Sequence, residues 1–162
     1  MLQTQQELLT LLSDIGIEHT NHEHPPVFTV EEAAQHQHGI EGAHSKNLFF
    51  KDKKKNLFLV VTLADKPIKI KEVGKKIGGN NMSFAKPDLL MEVLGMIPGA
   101  VTPFAAVNIK DHEVKIVLDE ELMTHDLLNF HPLENTATTT IRSQDLVTFL
   151  EHCGQSPEII RL

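Results

Sequence analysis

Two Gly and two Pro fall within nine residues at Gly95-Met96-Ile97-Pro98-Gly99-Ala100-Val101-Thr102-Pro103. Gly lets a ligand approach main-chain N–H groups closely, and Pro fixes the backbone around it. Amides presented in this way suit carboxyl or ester oxygens and the ribose of a nucleotide. The same residues also build an ordinary tight turn. A second stretch, Asn129-Phe130-His131-Pro132-Leu133-Glu134-Asn135-Thr136-Ala137-Thr138-Thr139-Thr140, sets a histidine between a strand and a Pro turn, with a run of hydroxyls behind it. Thr suits strands, so that run reads equally as an exposed strand face. His22 and His24, two apart, could face one side of an extended chain, with His19 three residues earlier. A zinc site there would need further ligands, and loop histidines are usually solvated, so no metal is expected. Cys153, the single cysteine, excludes an internal disulfide and a Cys-rich zinc module. It reads as a small apolar residue rather than a nucleophile. There is no GxSxG elbow, Walker A loop, GxGxxG fingerprint or HExxH.

Lysine is the remaining chemical resource. The net charge of −7 argues against a polyanion, but its distribution does not. Residues 46–76 hold ten Lys and three acids, a balance of +7, while the rest of the chain has five Lys or Arg and nineteen acids, a balance of −14. That asymmetry suits a localised polyanion contact on an acidic protein. It suits a solvated Lys-rich hairpin and helix as well.

The elements that must position these residues can be read from local signals. Thr4 with Glu7 is a capping box for a first helix with Leu8, Leu9, Leu11, Leu12 and Ile15 on its apolar face, and Gly16 closes it. Residues 17–20 suggest a short strand, and the prolines keep 24–28 extended. Thr29 with Glu32 is a second capping box, opening a helix through Ala33 and Ala34 that fades near Gly39. Residues 46–51 and 56–63 form a hairpin around Asp52-Lys53-Lys54-Lys55. Leu57-Phe58-Leu59-Val60-Val61 reads as a strand buried on both faces. Helices are expected over 70–77, ending at Gly78-Gly79, and from Pro87 to Gly95, with a short strand at 83–85 between them. Strands are expected over 105–108, 114–118, 127–131 and 136–141. Ser143 caps a last helix closed by Gly154. Hairpins rather than regular βαβ units connect these elements. The expectation is a single α/β domain over 1–162: a mixed, partly closed sheet with flanking helices. Its 41% apolar and 23% charged residues are ordinary for a globular protein. No apolar run approaches the roughly 20 residues of a membrane span. The N-terminus has no basic n-region, so a cytoplasmic protein is expected.

Taken in order, the segments 25–33 (PPVFTVEEA), 44–66 (HSKNLFFKDKKKNLFLVVTLADK), 83–104 (SFAKPDLLMEVLGMIPGAVTPF), 116–122 (IVLDEEL) and 129–141 (NFHPLENTATTTI) resemble one family. This is the free-standing aminoacyl-tRNA editing domains, related to the inserted editing domain of bacterial prolyl-tRNA synthetase. Within it the chain is most similar to the ProX type, the alanyl-tRNA(Pro) deacylases. The resemblance implies that Lys46 contacts the 3′-terminal nucleotide and aminoacyl ester, with Asn47 supporting the same site. It implies that Gly95 to Gly99, Pro98 included, seat the substrate and the hydrolytic water by their backbone. It implies that His131 shapes a small amino-acid pocket. An apolar cup from Val27, Val30 and Phe130 would complete that pocket, and Phe50 and Phe130 would bear on its size. Lys51, Lys53, Lys54 and Lys55 would meet acceptor-stem phosphates.

The implied reaction is hydrolysis of an ester that is already activated, so no Ser or Cys triad and no cofactor is required. The implied partner is the acceptor end of tRNA, in particular tRNA(Pro), with prolyl-tRNA synthetase as a further partner. DNA and membrane are not expected. Two rival readings follow from the same residues: a deacylase of Cys-tRNA or another small misacylated residue, and a non-catalytic tRNA- or synthetase-binding module.

Overall fold

The computed structural model describes residues 2–26, 29, 31–32 and 39–162. Val27 and Val30, and the predicted helix beyond Glu32, lie outside the described residues. Within them the Glu32 N–H donates to Thr29 Oγ1 at 3.0 Å, as the second capping box requires.

The first helix, α1 (Gln5–Asp14), opens on Thr4 with both capping-box bonds formed. A single mixed sheet follows, with strands β1 (Thr20–Glu23), β2 (Ala43–Lys51), β3 (Leu57–Leu63), β4 (Ser83–Phe84), β5 (Val114–Asp119), β6 (Leu127–Phe130), β7 (Ala137–Arg142) and β8 (Glu158–Ile160). Their order is β1-β7-β6-β2-β3-β5-β8, with β4 paired to β2 beside β6. The β2–β3 hairpin is antiparallel, whereas β6–β2, β3–β5 and β5–β8 are parallel. The remaining helices are α2 (Ile70–Ile77), α3 (Pro87–Leu94) and α4 (Ser143–His152).

Two apolar clusters flank the central strands. The larger holds α1, α3 and α4 residues with Phe49, Leu59 and Val61; the smaller puts Val73 and Ile77 of α2 on Phe50, Phe58 and Val60. Side chains of a strand alternate between its faces. β3 therefore feeds both clusters, and Leu59 to Thr62 are fully buried.

Three expectations change, and one further strand is present. Residues 103–108 form a 3-10 helix rather than a strand, because Thr102 Oγ1 accepts the Phe104 N–H and Pro103 occupies the first helical position. Ser143 lies inside α4, whose cap Arg142 makes no side-chain capping bond. The first strand sits at 20–23, three residues later than expected. β8 carries no alternation over its three residues and is recruited by parallel pairing with β5.

Candidate active site

β2 is where the sheet divides. β6 pairs with its start, Ala43 with Leu128 and His44 with Asn129, and β4 pairs with its end, Phe50 with Phe84 and Lys51 with Ser83. Between them β2 has no strand partner on that side among the described residues. The parting begins two residues before Lys46 on one strand and two residues before His131 on the other. The two therefore occupy equivalent positions on either side of the opening.

Asn129 holds the junction. Its Nδ2 donates to the carbonyls of Glu41 (2.8 Å) and Ala43 (3.3 Å), its Oδ1 accepts from Thr140 Oγ1, and its own carbonyl accepts from Ser45 Oγ at 2.8 Å. The threonine run is thus not an exposed strand face. Thr138, Thr139 and Thr140 are buried. Their hydroxyls are matched by His24 Nε2, Asn21 Oδ1 and Asn129 Oδ1.

Lys46 is half-buried and makes no ion pair or hydrogen bond among the described residues. It stands opposite Thr62, on the face of β2 that carries Leu48 and Phe50. The buried Asp119 shares that face. Its Oδ2 is engaged by Thr62 Oγ1 (2.6 Å) and Lys66 Nζ (2.9 Å). Burial works to raise the Asp119 carboxyl, but these two bonds and the Glu121 N–H outweigh it and hold it below its ordinary value. The carboxylate nearest in register is therefore satisfied, and the Lys46 ammonium is left unpaired.

Asn47 points to the opposite face, where its Nδ2 donates to Ser45 Oγ at 3.3 Å. Its Oδ1 is buried without a hydrogen-bond partner. Such an orphan costs roughly 1–3 kcal/mol unless a donor arrives.

His131 is anchored by its Nδ1–H, which donates to the Ala137 carbonyl at 3.0 Å. A carbonyl can only accept, so Nε2 carries the lone pair of the neutral ring. Burial lowers the pKa of His131; the Ala137 bond opposes this, and the nearby His24 ring, 6.2 Å away edge-on, adds to it. Burial thus favours the neutral ring, in which Nε2 is an acceptor. His24 is held in turn by Pro25 O and Thr138 Oγ1. Among the described residues no group of three or more His, Cys, Asp or Glu could hold a metal ion.

The Gly95–Gly99 loop has two parts. Gly95 caps α3 at φ 67°, and its N–H donates to Met91 O. The positive φ favours Gly, and a Cβ there would also lie 3.1 Å from Asn108 Nδ2. Ile97 to Ala100 is a type II turn: Pro98 in the second place, Gly99 at φ 90° in the third, and the Ala100 N–H donating to Ile97 O at 3.1 Å. Among the described residues, the loop amides of Met96, Ile97 and Gly99 have no acceptor. No hydrogen bond links this loop to Lys46 or His131.

Phe130 lies in the main core, edge-on to Phe104 at 5.6 Å. Cys153 is half-buried, and burial pushes its thiol up to about 11. The Lys-rich turn is held by a residue that sequence reasoning passed over. Asp52 Oδ1 accepts the N–H groups of Lys54 (2.9 Å) and Asn56 (2.8 Å), and Oδ2 accepts Asn56 Nδ2 and the Asn80 N–H, both at 3.1 Å. An Asp opening a tight turn was the available signal. Lys51, Lys53, Lys54 and Lys55 make no ion pair among the described residues, and neither do Lys71, Lys75 and Lys76 on α2. Lys66 and Lys69 do.

A mixed eight-stranded sheet with flanking helices is the fold of the editing domains. The chain belongs to the aminoacyl-tRNA editing domain family, whose model matches residues 24–149. It is 33% identical over 162 residues to the prolyl-tRNA editing protein ProX of Acetoanaerobium sticklandii, covering 99% of each chain. It is 40% identical over 158 residues to prolyl-tRNA synthetase associated domain-containing protein 1 of Danio rerio, covering 96% of this chain and 86% of that one. The crystal structure of a proposed trans-editing enzyme for prolyl tRNA synthetase matches its fold with a TM-score of 0.71 at 19% identity, over 100% of this chain and 99% of that one.

Proposed function

We propose that this protein hydrolyses the aminoacyl ester of mischarged tRNA, with Ala-tRNA(Pro) as its substrate. The observation that carries the reading is the parting of β2 from β6, which sets Lys46 and His131 at matched positions across one opening. The ester carbonyl enters that opening and water attacks it. The Lys46 ammonium stabilises the charge that develops on the carbonyl oxygen, and the amides of Ile97 and Gly99 supply donors from the loop. A vicinal ribose hydroxyl of the tRNA assists the attack. His131 walls the amino-acid pocket and offers Nε2 as an acceptor.

The substrate follows from discrimination. A proline-sized synthetase site rejects alanine by only about 1–3 kcal/mol, so a second, smaller hydrolytic pocket completes the selection. The tRNA acceptor stem lies on the lysines of the β2–β3 turn and α2.

A panel of Ala-, Cys- and Pro-tRNA tests this at micromolar protein. Alanine is expected to leave tRNA(Pro) fastest, and Lys46→Ala is expected to slow the reaction by about 100-fold or more with an unchanged melting temperature. Faster loss of cysteine overturns the substrate and keeps the reaction. An unchanged half-life for every aminoacyl-tRNA overturns the reaction itself.

A further inference from the structure

Phe84 is 55% exposed, whereas the six other described phenylalanines are buried. Lone exposed apolar side chains are common and need no function. This one differs in how it is held and in what surrounds it. It occupies a two-residue strand whose only role in the sheet is to pair with the end of β2, and the Ala85 N–H fixes it further by donating to Phe49 O at 2.9 Å. Its ring rests on that of Phe50, centroids 4.8 Å apart and tilted by 37°. Phe50 is fully buried, so one side of the Phe84 ring is backed by core and the other faces solvent.

Phe84 and Phe50 are cross-strand partners, so they share a face of the sheet. Lys46 lies on that face, four residues before Phe50, or about 13 Å along the strand at ~3.3 Å per residue. Lys86, two residues beyond Phe84 on extended backbone, falls on the same side of the chain and is exposed. The face also carries α2, with Lys71, Lys75 and Lys76 exposed and without ion pairs among the described residues. Of the acids nearby, Asp119 is bonded by Thr62 and Lys66, Glu72 pairs with Lys69 at 3.9 Å, and Asp88 sits in the first turn of α3.

A rigid, solvent-facing aromatic ring among unpaired lysines is the arrangement that binds single-stranded nucleic acid: backbone phosphates meet the cations and a base stacks on the ring. We propose that Phe84 is the stacking platform for a base of the single-stranded 3′ end of the tRNA, upstream of the terminal nucleotide held at Lys46. The proposal rests on the editing reading above and adds a residue to it. Stacking tolerates any base, so Phe84 contributes affinity and path rather than tRNA identity.

The test uses an RNA duplex of acceptor-stem sequence, with and without a single-stranded 3′ tail, and the full-length protein. Wild type is expected to bind the tailed RNA more tightly than the blunt one. Phe84→Ala is expected to weaken tailed binding about 10-fold and leave blunt binding unchanged. Phe84→Trp is expected to restore tailed binding. A 2-aminopurine placed in the tail is expected to be quenched by wild type and by the Trp variant, not by the Ala variant. Equal tailed affinity for wild type and Phe84→Ala overturns the stacking role while leaving the deacylation reading intact. Weakening of both RNAs alike overturns it too, since that is the pattern of a general disturbance. Absence of any RNA binding by wild type overturns the editing reading and the platform with it.

Discussion

Removing the Asp52 carboxylate should loosen the Lys-rich turn and cost measurable stability. The side chain is 5% exposed and accepts four N–H groups, from Lys54, Asn56 twice and Asn80. A single hydrogen bond contributes about 1 kcal/mol net, and those to a charged group contribute more. The donors sit on exposed residues, so water recovers part of what is lost. Asp52→Ala is therefore expected to lose about 2–3 kcal/mol rather than the full sum. Asp52→Asn keeps one acceptor oxygen and faces the other donors with an amide, so about 1–2 kcal/mol is expected. At 162 residues each kcal/mol moves the melting temperature by about 2–4 °C. Urea unfolding at constant slope is the assay. The pH dependence gives a second check. Burial alone would raise the Asp52 carboxyl, but the Asn80, Asn56 and Lys54 donors outweigh it and hold it below its ordinary 3.8. The unfolded chain then binds the proton more readily, so this stabilisation is present above 3.8 and lost as pH falls through the folded value. The Ala variant should lack that acid-limb slope. A loss under about 0.5 kcal/mol in Asp52→Ala would refute the staple, since it would mean water replaces all four bonds at no cost.

Four further outcomes can be checked. His131 and His44 are both held below 6.5, chiefly by burial, so each favours the fold in its neutral form. Their stabilisation is present above 6.5 and lost as pH falls through the folded values, and His131→Gln should flatten that limb of the urea-midpoint profile. Lys54→Ala should weaken tRNA binding modestly and reduce its salt slope by about one phosphate contact, read by binding titrations at several ionic strengths. Lys55 has φ 66° at the bulge position of the hairpin, a place that favours glycine, so Lys55→Gly should stabilise by up to about 1 kcal/mol in urea unfolding. Gly95→Ala should destabilise by about 1–2 kcal/mol in the same assay, because an L side chain is strained at φ 67° and its Cβ presses on Asn108 Nδ2.

The elements with local punctuation were legible from the residues. α2 ends at Gly78, α3 runs from Pro87 to Gly95, and the β2–β3 hairpin turns on Asp52 to Asn56. What was missed is set by partners distant in the chain. The threonine run is buried because Asn21, His24 and Asn129 come to it from β1, the segment after β1, and β6. β8 exists only as a parallel neighbour of β5. Residues 105–108 are apolar enough for a strand, and the cap at Thr102 decided for a helical turn. The candidate site was legible in the same uneven way. Lys46 and His131 could each be singled out by motif, but only the pairing of β2 with β6 puts them across one opening. Phe130 could not be told from a pocket residue by sequence. Alternation along β6 sends it to Phe104 and leaves His131 to follow the strand out of the sheet.

The charge arrangement around Lys46 joins these points. The role proposed for Lys46 requires an ammonium with no free carboxylate beside it, and this face of the sheet does hold a fully buried carboxylate, Asp119. Buried charge is tolerated only when it is paired and hydrogen-bonded. Thr62 and Lys66 supply that pairing from β3 and the segment after it, and Glu121 takes the other side of the Lys66 ammonium at 2.8 Å. The negative charge is thus held on the far side of Thr62, and the Lys46 side chain has no carboxylate partner among the described residues. An activated ester requires little beyond such a cation, a few oriented donors and a pocket of the right size. In the proposed reaction no nucleophilic triad is required, and selection falls to the walls of the opening.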